Sequence, residues 1–332
     1  MTLARPIADA LRRGATVVAA SPRATRALHL RFAEDQRAVG HAVWPTPSLY
    51  DWDSWLRSLW RDYAFSAVGA PILLTPLQER TLWTCAQRDD AALVISPELM
   101  ADLAMEAWSL LSAWNAHPSR RQSWSSTDAQ TDAERFRHWA ADFERECARH
   151  GWLSADELES TLTSLTGNAT DLALPPELLL VGFDRITPAQ RTFLAALESR
   201  NVTVAEFRFE PTIRPEDSRR YWIVANDQRD EIAACAAWAR DLLLENPAAR
   251  VAVIVPGIDS VRGEIDRTFR RILMPASEDI RLPSSVMPWE FSLGKPLADV
   301  PAIRAALLLL RWIATPLQEE EISWLMLSGF VA

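Results

Sequence analysis

Apolar residues change period several times along the chain, and each change marks an element. Ala15-Thr-Val-Val-Ala-Ala20 is a short apolar run that predicts a buried parallel strand. Ser21-Pro22 breaks it, and Ala24, Leu28, Leu30 and Phe32 then recur at helical spacing. Glu177-Leu-Leu-Leu-Val181 predicts another buried strand, Thr187-Pro188-Ala189-Gln190 opens a helix, and Val202 to Phe209 alternates as a strand. Beyond a polar, charged linker (Pro211 to Arg220), Tyr221 to Val224 predicts a strand, Asp230 to Leu243 a helix and Val251 to Val255 a buried strand.

Residues 45–170 read differently: helical, tryptophan-rich and without a strand pattern. Helix starts are marked by the capping boxes Thr75-Pro76-Leu77-Gln78, Thr131-Asp132-Ala133-Glu134 and Ser154-Ala155-Asp156-Glu157, and by the N-cap pair Ser96-Pro97. Gly151 is placed to stop the helix ending near His150. The tail is helical, with Thr315-Pro316-Leu317-Gln318 expected to begin its last helix, and the sequence reads as a piece of something longer. No fixed-period repeat is visible. The order is therefore an α/β domain interrupted by helices, then a second α/β unit.

Composition narrows the classes. With 332 residues the chain has room for two or three domains, and 48% hydrophobic with 24% charged residues is an ordinary globular balance. No charged n-region leads into an apolar h-region, so no secretory signal is expected. Ala305 to Ile313 is short and carries Arg311 beside Arg304, which predicts a buried helix and no membrane span. Cys85, Cys147 and Cys235 are odd in number and far apart, which favours free thiols and a cytoplasmic location. A net charge of −9 does not advertise nucleic-acid binding, yet residues 1–40 hold Arg5, Arg12, Arg13, Arg23, Arg26, Arg31 and Arg37 against only Asp9, Glu34 and Asp35.

A strand, a tight turn and a helix is how a nucleotide-binding α/β domain opens. A working P-loop needs glycines that let backbone N–H groups approach phosphates, a lysine, and a Ser/Thr on magnesium. Here the turn is Ala19-Ala-Ser-Pro-Arg-Ala-Thr-Arg26, without glycine or lysine, and Pro22 removes a donor. Ser21 and Thr25 remain as hydroxyls; Arg23 and Arg26 could still meet a phosphate or a DNA backbone, or could be solvated arginines on an ordinary turn.

The second nucleotide element should be a strand ending in two acids, one for magnesium and one for the attacking water. The candidate, Leu178-Leu-Leu-Val-Gly-Phe-Asp-Arg-Ile-Thr-Pro-Ala-Gln190, resembles the superfamily I helicase segment VDEFQDTNPLQ with one residue fewer before the proline. On that pairing Gly182 and Phe183 replace the two acids, Asp184 falls where the family has an aromatic residue, and Thr187, Pro188 and Gln190 keep the pattern. ATP hydrolysis is not expected.

Further stretches carry the same resemblance. They are Val17 to Arg31, Val43-Trp-Pro-Thr-Pro47 with Trp52 to Leu59, Leu74 to Gln78, Leu178 to Leu197, Asp227 to Leu242, Arg250 to Leu273 and Phe291 to Leu297. In this order they are similar to an inactivated superfamily I (UvrD/Rep/AddB-like) helicase. The kind in question is fused to a carboxy-terminal PD-(D/E)XK nuclease in bacterial DNA repair proteins. Pro256 departs from the pattern, since active relatives often have arginine after that strand. The resemblance implies an α/β fold: a degenerate P-loop (RecA-like) domain from residues 1–44 and 171–215, an all-helical insertion at 45–170, and an incomplete second RecA-like domain at 216–332. It also implies a degenerate nucleotide site at Ser21, Arg23, Thr25, Gly182, Phe183 and Gln190.

Other constellations are weaker. The only lysine lies in Leu293-Gly294-Lys295, so no acid-x-lysine nuclease pair exists in the chain. Trp52, Trp55, Leu56, Leu59 and Trp60 share one helical face, as do Trp108, Leu111 and a neighbour such as Trp114; these are expected in cores and not as base platforms. Cys147 and His150 lack a second ligand pair, the histidines (His29, His41, His117, His138, His150) form no catalytic motif, and Asp230-Glu231 fit a helix start. No metal and no cofactor are expected. The function expected is a non-catalytic module binding or positioning DNA, through Arg23, Arg26 and Arg31, for the nuclease region of the same polypeptide, with a helicase subunit as a further partner and no membrane. A pure protein-interaction scaffold is the alternative, and a nucleotide enzyme with an unusual site a third reading.

Overall fold

The computed structural model describes residues 3–87, 96–115, 132–168, 172–209, 220–275, 287–292, 294 and 296–330. The chain divides into two compact units, Met1–Pro215 and Glu216–Ala332. It is an α/β protein, mostly helical, with a small parallel sheet. Lys295, His117, Thr131 and most of the Pro211 to Arg220 linker lie outside the described residues.

The first unit opens with α1 (Arg5–Arg12), β1 (Thr16–Ala19), α2 (Pro22–Ala38), β2 (Leu49–Asp51) and α3 (Trp52–Ser66). β3 (Ile72–Leu73), α4 (Pro76–Ala86), α5 (Pro97–Ala113), α6 (Asp132–His150) and β4 (Trp152–Leu153) follow. A short 3-10 turn (Ala155–Glu157), α7 (Leu158–Asn168), β5 (Glu177–Val181), α8 (Pro188–Ser199) and β6 (Thr203–Phe207) complete it. The main sheet has the order β2-β1-β5-β6, all parallel, with Ala19 opposite both Asp51 and Val181, and Val181 opposite Phe207. β1 and β5 are buried on both faces, which is why they read as continuous apolar runs.

Each face of the sheet has its own core. Leu178, Leu180 and Val18 pack under Trp52, Trp55, Leu56, Phe193 and Leu197, while Leu179, Val181, Val17 and Ala19 pack under Leu3, Ile7, Ala10 and Leu28. Leu30, expected on the apolar face of α2, is exposed, because that position continues the solvent face of Arg23 and Arg26. Arg13 donates through Nε and Nη2 to Glu177 at 3.0 and 2.5 Å, joining the chain just after α1 to the start of β5. That pairing holds the Glu177 carboxyl below its ordinary range, through the hydrogen bond first and the charge second.

The segment expected to be all-helical contains three short strands. β2 belongs to the main sheet, and β3 pairs in parallel with β4 across α4, α5 and α6. Strands of two or three residues are too short for alternation to show. Trp83, Trp108, Trp139 and Phe143 form the core of the helical part, and the Trp83 and Phe143 rings stack with centroids 4.5 Å apart. Trp114 is the exception: it is exposed just past the end of α5. Ser154 caps a 3-10 turn by accepting from the Asp156 N–H and forms no capping box with Glu157, while the next donor, Ala155 N, donates to Glu79 Oε1 at 2.7 Å.

The second unit contains α9 (Gln228–Glu245), α10 (Ile258–Leu273), a 3-10 turn (Leu297–Asp299), α11 (Pro301–Ala314) and α12 (Glu319–Leu327). The strands expected at Tyr221–Val224 and Val251–Val255 are not formed among the described residues; Trp222 and Ile254 are 91% and 92% exposed. Propensity and apolar pattern mark a segment that suits a sheet, but a strand exists only where a neighbour takes its backbone hydrogen bonds. α12 begins after Gln318, whose side chain forms a capping box with Glu321, and not at Thr315. α11, expected to be buried, exposes Leu310 and Ile313. Among the described residues no helix is long and apolar enough to cross a membrane.

Candidate functional site

The order β2-β1-β5-β6 creates a switch point. From β1 the chain leaves through α2 to one side of the sheet, and from β5 through α8 to the other. In open parallel sheets the crevice beyond the carboxyl ends of two such strands is where ligands collect. Ala20 N donates to Val181 O at 3.0 Å and Gly182 N to Phe207 O at 3.1 Å, so the turns after β1, β5 and β6 meet at that edge. The two sequence elements singled out for nucleotide chemistry therefore lie side by side there.

Their side chains are occupied with structure. Ser21 Oγ accepts from Ala24 N at 3.2 Å as the N-cap of α2. Thr25 is buried, and its hydroxyl donates back to Ser21 O at 3.1 Å, a bond within the first turn of α2. Gly182 adopts φ +74°, a left-handed conformation that lets the chain leave β5 at once. Phe183 is buried edge-on against Trp52, with centroids 6.0 Å apart. Gln190 Oε1 accepts from Thr187 N at 2.9 Å, and Thr187 Oγ1 from Gln190 N at 3.2 Å, a complete capping box for α8. Asp184 is exposed beside them.

Beside Asp184 this edge offers several arginines to solvent. Arg23 and Arg26 are exposed in the first turns of α2, and Arg31 is half-buried further along. Arg185, after β5, and Arg191, in the first turn of α8, are also exposed, and pattern reasoning missed both. Among the described residues none of these five has an ion-pair partner, whereas Arg13, Arg80, Arg137 and Arg149 each meet a carboxylate. Single arginines in a turn give no signal of their own; only the sheet order gathers them.

Beneath the start of α3 lies an acidic counterpart. Trp52 Nε1 donates to Glu159 Oε2 at 3.4 Å, while Glu159 Oε1 is buried without a partner among the described residues. Burial first, with the nearby Asp53 charge, pushes the Glu159 carboxyl up to about 7 despite the indole hydrogen bond. Burial likewise raises Asp156 and Asp53. Among the described residues no three His, Cys, Asp or Glu side chains converge on a point that could hold a metal. Cys147 is buried, its thiol pushed up to about 12 by burial and neighbouring glutamates, and His150 stacks on Trp152 with centroids 4.4 Å apart. No family model matches the chain, and no curated protein matches it.

Proposed function

We propose that this chain is a nucleotide-silent, superfamily I helicase-like module whose carboxyl-edge arginines hold a DNA backbone, positioning it for a nuclease elsewhere in the parent polypeptide. On this reading the first unit is a degenerate P-loop fold that keeps the strand-turn-helix frame without its chemistry. The observation that carries it is a contrast at one edge. The polar side chains that would serve a nucleotide cap helices or pack inward, while Arg23, Arg26, Arg185 and Arg191 face solvent without carboxylate partners among the described residues. Unpaired guanidinium groups beside two helix N-termini favour phosphate oxygens, and backbone contacts of this kind carry no base sequence information.

A scaffold that never touches DNA is the competing reading, and the net charge of −9 favours it. Two titrations separate the readings. Filter binding with single- and double-stranded DNA is expected to show affinity that falls with salt, and equilibrium dialysis with ATP and magnesium is expected to show no saturable binding. Saturable ATP binding overturns the nucleotide-silent reading, and absence of DNA binding at low salt leaves the scaffold.

A further inference from the structure

α5 is apolar on two opposite sides. Ala101, Ala104 and Trp108 are buried in the helical core of the first unit. On the far side Leu99, Leu103 and Leu110 are each more than half exposed, and Trp114 at the C-cap continues their line. By helical geometry these four positions fall within an arc of about 60° and run about 22 Å along the axis. A helix apolar on both sides is ordinarily buried on both. The stripe also has a charged border. Glu98, Asp102 and Glu106 recur every fourth residue along one flank, and α5 carries no lysine, arginine or histidine. Asp102 is taken by Arg80 of α4 at 2.8 Å, while Glu98 and Glu106 are exposed with no ion-pair partner among the described residues.

We propose that the outer face of α5 is the docking site for a basic amphipathic helix of a partner protein. Its apolar stripe lies along Leu99, Leu103, Leu110 and Trp114, and its flanking lysines or arginines meet Glu98 and Glu106. The inference holds under either reading of the arginine edge. Apolar anchors spaced by three, four and seven residues are how one helix receives another, and the exposed indole supplies a large anchor at one end. The acidic flank chooses among occupants. A second copy of this chain on the same face would set acid against acid, and a nucleic acid would bring its phosphates to Glu98 and Glu106. A helix with positive flanks satisfies the stripe and the acids together.

Fluorescence anisotropy of the full chain tests this with two labelled amphipathic peptides of about 18 residues, sharing one leucine stripe and flanked by lysine in one and glutamate in the other. The lysine-flanked peptide is expected to bind and the glutamate-flanked peptide not. Leu103→Ser/Leu110→Ser is expected to weaken the lysine-flanked peptide about 10- to 100-fold. Glu98→Lys/Glu106→Lys is expected to reverse the preference, and a gain of binding to the glutamate-flanked peptide cannot come from misfolding. Equal binding of the two peptides, binding indifferent to the leucine pair, or no binding of either overturns the proposal. So does a dimer of the unaltered chain in sedimentation velocity that the leucine pair abolishes, which gives the face to a second copy. Loss of affinity for a thymidine oligomer in the leucine variant also overturns it, giving the face to nucleic acid.

Discussion

Glu159→Gln isolates one ionisation in the packing between α3 and α7. The carboxyl accepts from the Trp52 indole through one oxygen and has no partner for the other among the described residues. Burial and Asp53 raise it from the ordinary 4.5 to about 7. A carboxyl raised in the folded state binds a proton there that the unfolded chain has already released. Stability is therefore greatest below about pH 4.5, falls as pH rises through the interval up to about 7, and levels off above it. At about 1.4 kcal/mol per pH unit the full loss is about 3 kcal/mol, an upper bound because the site is not wholly dry. Gln mimics the protonated acid, keeping an oxygen for the indole and carrying no charge. Urea unfolding followed by circular dichroism at about pH 5 and about pH 8 should show the variant near the parent at the lower pH and more stable by up to about 3 kcal/mol at the higher. A shallower dependence persists in the variant at lower pH, since Asp156 and Asp53 are raised in the same direction. A variant less stable than the parent at about pH 8, or one with an unchanged slope, refutes the assignment of a buried, proton-sharing carboxyl.

Two other buried polar groups make opposite predictions. Gln87 is 2% exposed at the end of α4, with neither amide atom partnered among the described residues, so Gln87→Leu is expected to raise stability by about 1–2 kcal/mol in urea unfolding. A loss of stability would show that the amide is satisfied. Glu79 is 3% exposed and accepts from Ala155 N, so Glu79→Ala should cost about 2–4 kcal/mol by leaving that N–H without an acceptor, and Glu79→Gln less. A cost for the alanine variant within about 0.5 kcal/mol would mean that the bond does not hold α4 to the turn before α7.

Much of the first unit was legible because its signals are local. The all-apolar runs of β1 and β5, the break at Ser21-Pro22, the helix start at Thr187-Pro188 and the stop at Gly151 each depend on residues within one turn. β2, β3 and β4 escaped because two or three residues carry no period, and Trp114 was misplaced because helical spacing cannot say where a helix face stops meeting its neighbour. The second unit shows the opposite error. Tyr221–Val224 and Val251–Val255 have strand composition, yet pairing is decided by a partner and not by the segment. Ser21, Arg23, Thr25, Gly182, Phe183 and Gln190 were expected at a degenerate nucleotide site from their motifs; what the structure shows of Ser21, Thr25, Phe183 and Gln190 is capping and packing. Arg185 and Arg191 join them only through the parallel order of β1 and β5.

The salt dependence of DNA affinity tests the central claim most directly. If Arg23 and Arg26 each neutralise a phosphate, the plot of log affinity against log salt for an Arg23→Ala/Arg26→Ala variant is shallower than that of the parent by about 1.4 to 1.8, with weaker binding at low salt. Equal slopes and equal affinities for variant and parent would contradict a DNA-holding edge at the head of α2.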